Sequence, residues 1–209
     1  MTTMNHQYLA KFFYSDKTIN EVLEKNKVIE PTGTTDTSLI DIYDNTIITT
    51  VYKDEYDKQV LEHDAGAIYK YFKVDGYNFD TYMAVIYDPS KISVVHTKYM
   101  GVTGQYLVDM AKENNAIIAI NGGGFINING ESNGGEPRGI IIEDGKVIQS
   151  TRNRDKGGGV IGFTNDNKLF LGDVTVQEAI EAGVRDAVEF GPFLVVNSET
   201  SFIKVNVDC

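Results

Sequence analysis

A hairpin pattern at residues 139–150, GIIIEDGKVIQS, constrains the fold most strongly, because Asp144-Gly145 separates two apolar-rich runs. Asp-Gly is favoured in two-residue turns that need positive φ at both central positions, so the pattern predicts an antiparallel pair. Residues 159–172, GVIGFTNDNKLFLG, form a second pattern of this kind and turn at residues 165–167. The two patterns predict an antiparallel sheet in the second half of the chain.

Other elements follow from apolar spacing and from turn residues. Helical spacing predicts helices at residues 16–29, 104–115 and 176–182, while β-branched and alternating runs predict strands at residues 67–74, 81–88, 91–98 and 116–120. Asp16 is expected to cap the first helix, and Thr175 with Glu178 forms a capping box before the last, which Gly183 ends. The predicted fold class is α+β, with a β-rich mixed sheet, hairpins, a few short helices and an N-terminal helical/extended appendage.

The chain divides into two predicted regions. Residues 1–60 are interpreted as an N-terminal stalk or appendage, with a linker rich in turn-forming residues at 31–38. Residues 61–209 form the predicted main domain, and no tandem repeat of the solenoid type is present.

Composition narrows the function. The net charge of -11 argues against a protein that binds nucleic acid through its phosphate backbone. No apolar run is long enough to predict a transmembrane segment, and Cys209 is the only cysteine, so a Cys-based zinc site is excluded. We expect no cofactor and no metal. The 12 tyrosines and 10 phenylalanines are core or sheet residues for the most part, although tyrosine-rich surfaces also suit sugar stacking.

A glycine run, 116-AIIAINGGGF-125, is the first candidate for chemistry. Glycines let a ligand approach the backbone closely, and a strand that enters Asn121-Gly122-Gly123-Gly124 could present N–H groups to an anion. The run matches neither a P-loop nor a dinucleotide fingerprint, since no Lys-Ser or Lys-Thr and no helical pattern follows. A plain strand-to-loop exit is the competing interpretation.

Three further groups carry polar chemistry. Glu136 and Arg138 lie in a glycine-rich loop and could act as an acid/base group and an anion clamp, or form a solvated ion pair. The basic run at residues 152–156 would receive a phosphate, or it is a solvated hairpin connection. His96 could be a general acid, or a packed residue near a strand end.

Three segments in this order, 116-AIIAINGGGF-125, 137-PRGIIIEDGKVI-148 and 191-GPFLVVN-197, resemble the bacterial phosphodiester glycosidase family. That family is similar to the uncovering enzyme, the N-acetylglucosamine-1-phosphodiester alpha-N-acetylglucosaminidase. The resemblance spans about residues 61–204. It implies hydrolysis of a sugar-1-phosphate diester in an exopolysaccharide or cell-envelope glycan, with a sugar-phosphate or polysaccharide substrate and an extracytoplasmic location.

The resemblance also implies a set of site residues, and residues 121–125 would line the site. The expected catalytic residues are Asn121, Glu136 and Arg138. The expected substrate-binding residues are Gly122, Gly123, Gly124, Phe125 and Gly139. Gly191-Pro192 would form a structural turn near the same edge.

The family pattern includes a C-terminal Leu-Asp-Gly-Gly-type motif that the 209 residues do not contain. The domain at 61–209 is therefore expected to be incomplete. Two alternatives to an active hydrolase stay open: a non-catalytic carbohydrate-binding or envelope-binding module, and an inactive truncated fragment.

Overall fold

The computed structural model describes residues 7–31, 33–40, 51–76, 80–126, 132–151 and 158–203. Its helices are α1 (Gln7–Lys11), α2 (Asp16–Lys25), α3 (Glu55–Leu61), α4 (Leu107–Glu113) and α5 (Val176–Glu181). Its strands are β1 (Val28–Ile29), β2 (Tyr69–Asp75), β3 (Asp80–Ile86), β4 (Gly124–Phe125), β5 (Pro137–Arg138), β6 (Ile141–Glu143), β7 (Lys146–Gln149), β8 (Gly159–Thr164), β9 (Leu169–Gly172), β10 (Val184–Phe190), β11 (Val195–Val196), β12 (Glu199–Thr200) and β13 (Phe202–Ile203). This mixture confirms the predicted α+β, β-rich fold class.

A five-stranded antiparallel sheet in the order β7-β6-β10-β8-β9 forms the centre of the fold. Strand β10 lies in the middle, and its burial pattern is typical of a strand covered on both faces. The buried core cluster comprises Ile140, Ile142, Val160, Phe170, Ala179, Val184 and Ala187. Helix α5 contributes Ala179 to that cluster and packs Val176 and Ile180 against it.

Both hairpins predicted around the sheet are confirmed. Asp144 at φ 49° and Gly145 at φ 71° make the turn between β6 and β7. Asn167 at φ 64° lies in the turn between β8 and β9, where an asparagine tolerates the left-handed conformation. Strands β2 and β3, which match the strands predicted at residues 67–74 and 81–88, pair in continuous register from Tyr69–Ile86 to Asp75–Asp80.

The helix ends confirm one capping prediction and correct another. The Thr175–Glu178 capping box is present at α5, and Gly183 follows that helix at φ +77°. The prediction of Asp16 as the cap of α2 is wrong, because the Ser15 hydroxyl accepts from Thr18 N at 3.2 Å. Asp16 is instead the first helical residue, where its carboxylate favours the helix dipole.

Two predicted strands are absent. Along residues 91–98 the backbone bonds to carboxylates rather than to a neighbouring strand: Val94 N donates to Asp186 Oδ1 at 3.1 Å and His96 N donates to Glu143 Oε2 at 3.3 Å. Residues 116–120 pair with none of the described strands, and Ile117 and Ile120 are 75% and 83% exposed. An apolar run forms a strand only where a neighbouring strand is available to pair with it, and the described residues provide no such strand here.

Part of the N-terminal region contacts the second half of the chain. Strand β1 pairs antiparallel with β13, and Glu30 Oε2 accepts from Gly158 N at 2.8 Å and from Phe193 N at 2.7 Å. Thr35 N donates to Leu171 O at 2.8 Å. The predicted domain boundary near residue 60 stays a prediction. The contacts above join residues on the two sides of that boundary.

None of the helices in the described ranges has the length and apolar character needed to cross a membrane.

Candidate functional site

The glycine run and the loop containing Glu136 and Arg138 lie together. Strand β4 pairs with β5, so that Gly124 faces Arg138 and Phe125 faces Pro137. Ile126 N donates to Glu136 O at 2.8 Å and continues this contact by one residue. The two segments were identified separately in the sequence, and backbone pairing makes them one surface.

The glycines before β4 pass close to the end of β10. A Cβ placed on Gly122 would lie 3.3 Å from Val188 Cγ1, and one on Gly123 would lie 3.7 Å from Glu189 O and 3.9 Å from Arg138 O. The run therefore crosses β10 beside β5, with its own backbone facing these neighbours. We call residues 121–125 together with Arg138 and Gly139 the glycine wall.

Gly139 is the one wall position where only glycine fits. Its φ is +89°, and an added Cβ would lie 2.7 Å from Glu189 Cβ and 3.0 Å from Glu189 Oε2. Glu189 is only 6% exposed, and its Oε2 accepts from Ile140 N at 3.0 Å, while Glu189 N donates to Ile140 O at 2.9 Å. Glu189 thus holds the backbone directly after Arg138 and Gly139.

Sequence reasoning missed Glu189. Its signal is present in 186-DAVEFGP-192, where a carboxylate interrupts an apolar strand immediately before the Gly191-Pro192 turn. A charged residue in the interior of such a strand is rarely buried without partners. The structure supplies the partner in the Ile140 amide.

The predicted polar residues of the wall differ in exposure. Asn121 and Glu136 are exposed, and Arg138 is half-buried. Within the described ranges the side chains of Glu136 and Arg138 make no ion pair with each other, and Pro137 separates the two residues in the chain. Phe125 is exposed next to Pro137 and adds an apolar surface.

This arrangement combines three chemical capacities. A half-buried guanidinium can bind a phosphate through a planar pair of donors. An exposed carboxyl group can exchange a proton with water or substrate. The absence of Cβ atoms at Gly122 and Gly123 lets the run lie close to Val188 and Glu189, and backbone amides of such a run can bind oxygen atoms.

His96 lies elsewhere. Its Nδ1 is 2.5 Å from Glu143 Oε2, at the opposite end of β6 from Gly139. It opens on a pocket of about 280 Å³ lined by Val95, His96, Lys98, Gln105, Met110, Glu113, Asn114 and Glu143. There a hydrogen bond from Lys98 lowers the pKa of Glu113, and the same contact raises the pKa of Lys98.

The basic run at residues 152–156, the remaining candidate from the sequence, lies outside the described residues. Among the residues that the structure describes, no group of three or more His, Cys, Asp or Glu side chains is arranged to hold a metal ion.

A comparison with models of protein families agrees with the resemblance that the residues gave. Residues 114–207 match the family model described as phosphodiester glycosidase. The matched segment includes the whole glycine wall, both hairpins of the central sheet, and Glu189. No curated protein matched the chain. The match confirms the family resemblance over this segment.

Proposed function

We propose that the chain, whose residues 114–207 are similar to phosphodiester glycosidases, hydrolyses a sugar-1-phosphate diester in an exopolysaccharide or cell-envelope glycan. The observation that carries the proposal is the pairing of the glycine run with β5, which puts Arg138 opposite Gly124. The proposal includes an extracytoplasmic location, since the polymers concerned lie there.

Arg138 is the group that binds the phosphate. When the bond between the anomeric carbon and the phosphate oxygen breaks, the leaving group is a phosphate monoester that takes up negative charge. A fixed cation at that oxygen stabilises the transition state more than the ground state, which is the condition for a faster reaction. Glu189 positions this end of β5 through the Ile140 amide.

Glu136 is the group that acts on water, and Asn121 with the amides after it binds sugar hydroxyls or the developing oxyanion. The Glu136 side chain is exposed, so water and substrate reach it. A carboxylate that removes a proton from water generates the nucleophile for the anomeric carbon, as in other glycosidases with a carboxylate base. The products are a free sugar and a phosphate monoester.

The test is release of N-acetylglucosamine from a soluble N-acetylglucosamine 1-phosphodiester. Wild type should turn over, and Asn121→Ala, Glu136→Gln and Arg138→Ala should each lose at least about tenfold in kcat/KM, or about 1.4 kcal/mol of transition-state stabilisation. Glu199→Gln is the matched control, because Glu199 is an exposed glutamate in β12 that is not one of the wall residues, and should keep wild-type activity.

Absence of turnover in wild type on this substrate and on a polymeric sugar phosphodiester would overturn the proposal. Retained glycan binding in that case would favour the non-catalytic module. Equal activity of wild type and Arg138→Ala would instead remove Arg138 from the phosphate site.

A further inference from the structure

The hairpin β2–β3 carries a row of tyrosines on one face. Residues directly opposite in an antiparallel pair share a face, and Tyr71 lies opposite Ala84 while Lys73 lies opposite Tyr82. Because successive residues alternate between faces, Tyr69, Tyr71, Lys73 and Tyr82 belong to the same face. We call these residues the tyrosine platform.

The platform is exposed and ordered by its own contacts. Tyr71 and Tyr82 are 59% and 57% exposed, and Tyr69 is also exposed. The rings of Tyr71 and Tyr82 are nearly parallel, at 6°, with their centroids 5.4 Å apart. Each ring limits the rotation of the other, so a ligand that binds them costs less side-chain entropy than one that orders two free tyrosines.

Charged side chains at one end of the platform determine which kinds of ligand can stack on its rings. Lys73 Nζ lies 2.8 Å from Asp80 Oδ1 and 3.1 Å from Asp75 Oδ1. The hydrogen bond to Asp80, and then the one to Asp75, raises the pKa of Lys73, so the amine keeps its charge. Two carboxylates against one ammonium leave an acidic edge, and a nucleic acid or another polyanion would be repelled there.

We propose that the tyrosine platform is a binding site for the pyranose rings of a neutral glycan. The C–H faces of a pyranose carry partial positive charge and pack on the negative faces of aromatic rings. The hydroxyl groups at the edge of the same sugar can donate to the carboxylates of Asp75 and Asp80 and accept from the Lys73 amine. Neutral sugars satisfy both the aromatic surface and the acidic edge.

The platform lies outside residues 114–207, so the family match assigns it no role. The inference rests on the proposed function in one respect: the glycan held by the platform is an uncharged stretch of sugars in the polymer that bears the phosphodiester. A site that holds the polymer raises its local concentration at the glycine wall, as with any pair of linked binding sites.

The experiment is calorimetric titration of the full chain with chitohexaose and with cellohexaose, two neutral pyranose oligomers. Wild type should bind at least one of them, and Tyr71→Ala and Tyr82→Ala should each weaken that binding about fivefold. Tyr71→Phe keeps the ring and should keep most of the affinity. Tyr56→Ala is the matched control, since Tyr56 is 55% exposed on α3 and lies outside the platform.

Three results would overturn the inference: no binding of either oligomer by wild type, equal affinities for wild type and the two Tyr→Ala variants, or equally tight binding of oligothymidylate. Far-UV circular dichroism of each variant confirms that the hairpin variants are folded. Binding is measured without turnover, so an inactive wild type that binds through Tyr71 refutes only the hydrolase proposal. An active wild type with no tyrosine-dependent binding refutes only the platform.

Discussion

Replacing Gly139 by alanine should destabilise the protein through two separate effects. Alanine in the left-handed region, at φ +89°, is strained by about 1–2 kcal/mol. Its Cβ would also lie 2.7 Å from Glu189 Cβ, so the glutamate must move and its 3.0 Å hydrogen bond from Ile140 N is lost. A buried amide left without an acceptor costs about 1–3 kcal/mol, which gives a total of about 2–5 kcal/mol.

Gly145→Ala separates the two effects. Gly145 has a similar φ of +71°, but an added Cβ there would meet nothing within 4 Å. This variant should therefore lose only the conformational part, about 1–2 kcal/mol. The difference between the two alanine variants measures the contact with Glu189.

Urea unfolding followed by far-UV circular dichroism gives both free energies, and the chain has no tryptophan to follow by fluorescence. Adding Glu189→Ala to both variants completes the comparison. Glu189→Ala should cost less in the Gly139→Ala background than in wild type, since the hydrogen bond is already gone there. Equal losses for Gly139→Ala and Gly145→Ala, within about 0.5 kcal/mol, would show that Glu189 does not restrict residue 139.

Three other predictions concern stability. Asp186 is buried and accepts hydrogen bonds from Val94 N, Asp144 N and Arg185 Nε, so Asp186→Ala leaves three donors without their acceptor. This variant should lose about 3–5 kcal/mol of unfolding free energy in urea. Asp64→Ala, at an exposed position, is the control and should change that free energy by less than about 0.5 kcal/mol. Thr175→Ala removes the hydroxyl half of a capping box and should cost about 1 kcal/mol in thermal unfolding. A hydrogen bond from the hydroxyl of Thr164, a buried residue, lowers the pKa of Asp166 below its ordinary value of 3.8. The ionised carboxylate therefore stabilises the fold above pH 3.8, and this contribution is lost as the pH falls through the lower folded-state pKa. Stability measured in steps below pH 3.8 should fall less steeply for Asp166→Asn than for wild type, and parallel curves would contradict this assignment.

Local signals in the sequence were sufficient for the hairpins and for helix α5. Asp144-Gly145 fixes a turn by its own backbone preferences, and Thr175 finds its partner three residues away. Such interactions form within one turn of chain and do not depend on the rest of the fold. Both could therefore be predicted from short windows.

Elements that depend on distant partners were predicted less well. Residues 116–120 have the composition of a strand but pair with no described strand, and residues 91–98 bond to Asp186 and Glu143 side chains instead of a ladder. Glu189 was missed because its partner, the Ile140 amide, is brought to it only by the pairing of β10 with β6. The proximity of the glycine run to β5 was inferred from the resemblance, since spacing alone does not pair two such short segments.

Through the Glu30 carboxylate, the N-terminal segment is mechanically coupled to the central sheet. Its Oε2 accepts hydrogen bonds from the amides of Gly158, just before β8, and Phe193, shortly after β10. The residues of β1, directly before Glu30, pair with β13. Tension applied to the amino-terminal helices would load the pairing of β1 with β13 first and then, through this carboxylate, the ends of two central strands. Force on this side of the molecule is thus carried by the same strands that support the glycine wall.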